Sequence, residues 1–89
     1  MRPLRILIAD DNVDAAETTG ILLRGCGHHV SIVYDGLSAI EAVKTHNPDV
    51  LLLDISLPKL DGFQVAVQLR REEKTRDVPI IAVTGHGLE

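Results

Sequence analysis

Three acidic positions and one hydroxyl could do chemistry together. Asp10 and Asp11 follow directly on the apolar run LRILIA, Asp54 ends the most apolar run of the chain, VLLL, and Thr84 follows a third run, PIIAV. If each run is a strand of one parallel sheet, all four side chains sit at strand carboxyl ends, where open α/β sheets carry their sites. Three acids gathered there repel one another: two unit charges 4 Å apart cost about 4 kcal/mol at an effective dielectric near 20. Protonation would relieve this, and a hard divalent cation does so better. Mg²⁺ prefers oxygen ligands and often shares its sphere with phosphate oxygens. A carboxylate beside it can attack phosphorus and form an acyl phosphate. A nearby donor such as Thr84 would help carry the charge on the phosphoryl oxygens.

The pattern between these residues supplies the elements that must position them. Strands are expected at 4–9, 29–34, 50–53 and 79–83. The run at 50–53 is apolar at every position, as a central strand covered on both faces requires. Helical spacing over 13–26 puts Ala16, Thr19, Leu22, Leu23 and Cys26 on one face, with N-cap candidates at Asp11, Asn12 and Asp14 and capping-box spacing from Asp14 to Glu17. Gly20 inside this helix weakens it by about 1 kcal/mol relative to alanine. A second helix over 37–46 turns Ala39, Ile40 and Val43 inward. A third starts after Asp61, turns Val65, Ala66 and Leu69 inward and ends in the charged run RREEKTRD. Alternation of this kind, with right-handed crossovers, gives an α/β fold: an open, doubly wound parallel sheet.

Length and charge narrow the partners. Eighty-nine residues suffice for one domain. The net charge of −4 and pI of about 5.4 argue against a nucleic acid or an anionic membrane as partner. No apolar run reaches the roughly 18 residues of a membrane span. The one cysteine, Cys26, leaves no disulfide within these residues, which fits a reducing, cytoplasmic setting. Cys26 itself is expected to be a small buried hydrophobe.

With Asp10-Asp11, Asp54, Pro58, Asp61-Gly62 and Thr84 in this order, the chain resembles the receiver domain of two-component response regulators over its whole length. That resemblance implies a flavodoxin-like strand order 2-1-3-4. It implies that Asp54 accepts a phosphoryl group from a histidine kinase or histidine phosphotransfer protein, and that Asp11 and Asp54 bind Mg²⁺ with the backbone carbonyl of Ser56. Asp10 would hold the metal through water, and Thr84 would bond the phosphoryl group as part of the switch. A receiver assists its own phosphoryl transfer and hydrolysis but works mainly as a switch. The stretches DDNVDAA and TGHG are most similar to receivers attached to hybrid sensor kinases. Members of the family continue into a fourth helix, a fifth strand with a phosphate-pairing lysine and an aromatic switch residue, and a fifth helix. The 89 residues therefore read as a receiver lacking those parts. Lys44, Lys59 and Lys74 do not match the family lysine by position, nor does Tyr34 match the aromatic residue. The bare PIIAV edge makes a homodimer the expected state.

Other readings of the same residues compete. Asp10, Asp11 and Asn12 would also serve as plain helix caps, Thr84 as a turn residue, and Pro58, Asp61 and Gly62 as loop formers. His28, His29 and His46 fall at element ends, where solvation is expected, and the four histidines lack metal-ligand spacing. A Mg²⁺-dependent phosphatase or phosphotransferase would use the same aspartyl phosphate, but usually with a second acid or donor just after the nucleophile, where Ile55 and Ser56 stand. A flavin or nucleotide module would need a glycine-rich phosphate loop after the first strand, where an acidic pair stands instead. A non-phosphorylated interaction module on the same fold is a further alternative.

Overall fold

The computed structural model describes residues 2–83, so Thr84 and His86 lie outside the described residues. Four strands, Arg5–Ala9 (β1), His29–Val33 (β2), Val50–Asp54 (β3) and Ile80–Val83 (β4), alternate with three helices, Val13–Gly25 (α1), Gly36–His46 (α2) and Gly62–Arg71 (α3). The strands are all parallel, in the expected order β2-β1-β3-β4.

Register decides which face each apolar side chain joins. Leu7 pairs with Leu51 and Ala9 with Leu53, and these four pack with Ala39, Ile40 and Val43 of α2 and Val65 and Leu69 of α3. Ile6 pairs with Val50 and Ile8 with Leu52, on the opposite face, where α1 presents Ala16 and Leu23. Leu7, Leu51, Leu53, Val65 and Leu69 are essentially shut off from solvent. Each such aliphatic contributes about 1.5–3 kcal/mol by burial, so the two-helix face carries most of the stability.

The α1 face keeps Ala16 and Leu23 of the expected stripe and corrects the rest. Leu22 is exposed, and so is Cys26. The buried positions are Ala16 and Gly20. A Cβ on Gly20 would meet Ile32 Cδ1 at 3.3 Å, so the glycine that costs helix propensity also eases the close packing of α1 on β2. The first helix is capped by Asn12, whose side chain accepts from Ala15 N at 3.0 Å, and not through an Asp14–Glu17 box. The capping box occurs at α3: Asp61 Oδ1 accepts from Gln64 N and Gln64 Oε1 from Asp61 N, both at 3.0 Å.

Two further polar residues are held by the fold, the first of them a histidine expected to be solvated. His28 Nδ1 accepts from Leu4 N at 3.0 Å, so this ring ties the start of β1 to that of β2. Within the charged run after α3, Thr75 is buried and donates to Leu69 O at 2.7 Å, anchoring the turn that leads to β4.

Candidate functional site

The sheet's carboxyl edge assembles the acids. Asp10 N donates to Val33 O at 3.1 Å, so the ladder runs one residue beyond β1 and then stops, leaving Asp10 and Asp11 at its mouth. Asp54 is the last residue of β3, paired in register with Val83. Asp54 is buried, Asp10 half-buried and Asp11 exposed. One carboxylate oxygen from each lies within 4.8 Å of the others.

Each acid is oriented locally. Asp10 Oδ1 accepts from Asn12 N at 2.9 Å, and Asn12 in turn caps α1. Asp54 Oδ1 accepts from both Ser56 N and Ser56 Oγ at 3.0 Å. The family resemblance implies a backbone role only for Ser56; its hydroxyl also grips Asp54, a local bond for which a serine two residues after an acid has the spacing. Burial pushes the Asp10 carboxyl above its ordinary value, with the bond to Asp54 and the charges of Asp54 and Asp11 adding to it and the Asn12 N–H opposing. Like charges held this close are the state a hard cation relieves, so three carboxylates with no amine among them fit a divalent ion.

The loop after Asp54 is seated by two glycines. Gly62 N donates to Ile55 O at 3.0 Å, and a Cβ on Gly62 would stand 2.5 Å from Ile55 Cα. A Cβ on Gly36 would stand 2.3 Å from Leu60 O. Gly36 went unnoticed in the sequence because the contact it permits is made by a segment remote in the chain.

The cavities separate the site from other hollows. The one at the acids, lined by Ile8, Ala9, Asp10, Thr19, Leu52, Asp54 and Val83, holds about 50 Å³. A larger one of about 390 Å³ lies at the amino end of the sheet, by Arg5, His29 and His46. There the Arg5 guanidinium already serves the carbonyls of His46 and Asn47. Volume therefore points away from the chemistry, and the donor set points to it.

Comparison with known proteins agrees with this geometry. The family model "Response regulator receiver domain" matches residues 6–89. A polar-differentiation response regulator of Brucella anthropi is 30% identical over 98% of this chain and 71% of its own. A DNA-binding dual master transcriptional regulator of Synechocystis sp. is 39% identical over 93% of this chain, which spans only 34% of that protein. Among solved structures, the receiver domain of a sensor histidine kinase of Pseudomonas aeruginosa, with a magnesium ion coordinated in its active site cleft, superposes with a TM-score of 0.89. It is 34% identical, and the match covers 99% of this chain and 72% of that one. By sequence, strand order and the acids at the strand ends, this chain belongs to the response regulator receiver domain family.

Proposed function

We propose that Asp54 is the phosphoryl acceptor and that its acyl phosphate is the signalling state. The observation that carries this is a buried carboxylate held in place by Ser56 at the centre of a three-acid cluster. An Asp54 oxygen bonds to phosphorus as the bond from phosphorus to a partner's histidine nitrogen breaks, and that electron pair returns to the ring. The histidine belongs to a kinase or a phosphotransfer protein. Asp11, Asp54 and the Ser56 backbone carbonyl would hold Mg²⁺, with Asp10 acting through water. The ion, when bound, offsets the carboxylate charges and those of the phosphoryl oxygens. Thr84, the residue after β4, donates its hydroxyl to the phosphoryl group.

A small-molecule phosphatase is the weaker reading. A cavity of about 50 Å³ falls well short of the roughly 300–1,000 Å³ of small-ligand pockets. An acid beside so small a cavity suits a donor presented by another protein. Incubation with a small-molecule phosphodonor and Mg²⁺, followed by intact mass, tests the assignment. Wild type gains one phosphoryl group and Asp54→Asn gains none; equal labelling of the two overturns it.

We also propose that the chain pairs with a second copy along β4. Among the described residues β4 pairs only with β3, and Ile81 and Val83 are 54% and 41% exposed. Ile6, Ile8, Leu51 and Leu53 are buried, whereas Ile80 is half-buried and Ala82 exposed, so the inward apolar side chains of the sheet are not all hidden. The apolar strip is thus confined to β4 and its surroundings. Light scattering at micromolar concentration should give a dimer mass, and a monomer rules the pairing out.

A further inference from the structure

The segment 55–61, which joins the acceptor strand β3 to α3, makes a sharp reversal at Lys59. Leu60 N donates to Pro58 O at 2.8 Å, and Lys59 sits between them at φ 72. That is a γ-turn with its central residue in the left-handed region, a conformation that a lysine adopts only when its surroundings impose it.

The surroundings come from the start of α2, far off in sequence. Asp35 is the N-cap of that helix: its Oδ1 accepts from Ser38 N at 2.8 Å, which fixes the carboxylate. Its other oxygen, Oδ2, faces Lys59 Nζ at 3.8 Å. The next residue, Gly36, is buried directly against Leu60, where any Cβ would strike the Leu60 carbonyl and its Cβ at 2.7 Å. One end of a helix therefore holds the reversal from two sides, by charge and by close backbone approach. Three residues upstream of Lys59, on the same short loop, Ser56 grips Asp54.

We infer that Asp35 and Gly36 are positioning residues for the acceptor site: by clasping Lys59 and Leu60 they set the path of the loop that carries Ser56, and through it the ability of Asp54 to bind a divalent cation. The inference rests on the assignment of the site given above. The path of a loop only seven residues long is tightly constrained by where its middle is pinned. Releasing the pin lets the Lys59 backbone relax out of the left-handed region, and the displacement reaches Ser56.

Charge variants separate this from a simple field effect. Asp35→Asn keeps a good helix cap and removes the ion pair. Lys59→Met removes the same pair from the other side. A general field acting on the three acids would move Mg²⁺ affinity in opposite directions, weaker for Asp35→Asn and stronger for Lys59→Met. The clasp moves both the same way, weakening Mg²⁺ about two- to fivefold, in line with the modest strength of a partly exposed pair. The double variant is no weaker than either single one. Lys59→Gly, which takes a positive φ without strain, recovers most of what Lys59→Met loses. Gly36→Ala, with the hardest contact, weakens Mg²⁺ about tenfold or more.

The measurement is Mg²⁺ titration of the 89-residue chain, followed by the amide shifts of Ile55 and Ser56, with thermal unfolding in parallel. The expected result is a same-direction loss of affinity in Asp35→Asn and Lys59→Met with little change in melting temperature. Opposite shifts, or unchanged affinity in both, overturn the clasp while leaving the site assignment intact. A wild-type chain whose Ile55 and Ser56 amides ignore Mg²⁺ overturns the site assignment and the clasp with it.

Discussion

The two ends of the sheet are built on opposite principles. At the amino end, polar groups meet their complements. Arg5 N donates to Asp49 Oδ2 at 2.7 Å, its guanidinium serves two carbonyls at the end of α2, and Leu4 N finds the His28 ring. Cations and donors near a helix carboxyl end lower the free energy of the fold. At the carboxyl end, three acids share one mouth with no cationic side chain among the cluster. One end holds the structure together; the other keeps a local excess of negative charge for a ligand to relieve. A domain of this size has a total stability of about 5–15 kcal/mol, so such a cluster is a measurable fraction of it.

Breaking the comparison at a close backbone approach beside Asp54 has the largest effect. Gly62→Ala puts a Cβ on the backbone of Ile55, which must shift, at a cost of about 1–3 kcal/mol. Urea unfolding should show that loss together with weaker Mg²⁺ binding, because the same loop follows Asp54. Arg5→Met, at the other end, should cost about 1 kcal/mol through the lost bonds to His46 and Asn47, discounted for the exposure of the side chain. Its Mg²⁺ affinity should match wild type.

Asp10→Asn inverts that pattern. It removes one of three like charges, so the metal-free chain should gain about 0.5–1 kcal/mol at neutral pH while Mg²⁺ binds less tightly. An amino-end variant that loses stability but keeps the metal, beside a carboxyl-end variant that gains stability and loses it, would establish the division of labour. Equal behaviour of the two would refute it.

The finest test is pH. Asp10 has its folded value raised, chiefly by burial, so its proton is held more tightly folded than unfolded, and metal-free stability should fall as pH rises from about the ordinary 3.8 through the raised value. Asp35 has its folded value lowered, chiefly by the Ser38 N–H, so its contribution is present above 3.8 and is lost as pH falls through the lowered value. Asp10→Asn should flatten the first slope and Asp35→Asn the second, as read by melting temperature across an acid series.

What the sequence revealed was set by how local each signal is. Asp10, Asp11 and Asp54 were legible because each follows an apolar run, and a parallel sheet carries such positions to one edge. The strand order was carried by the family resemblance; alternation alone gives only the class. The face of α1 was legible in part: Ala16 and Leu23 pack on the sheet as their spacing implies, whereas Leu22 and Cys26, on the margin of the same stripe, turn to solvent and Gly20 is buried in their stead. Only the close approach to β2 selects the smaller residues. Gly36 was not legible at all, since its constraint is a contact with Leu60, remote in the chain, and neither was the positive φ of Lys59, the residue before it.

The pairing of β1 with both β2 and β3 has a consequence in time. Asp10 leaves the chain's first strand and Asp54 its third, and they face each other only once the β1–β3 ladder has closed. Closing a parallel pair needs a long crossover, and such non-local pairing is slow. No earlier, local piece of the fold contains the assembled cluster. If the ladder closes after the rate-limiting step, a cation that needs all three acids cannot hurry the chain toward its native form. It acts on the way out instead, and lengthens the life of a molecule already folded.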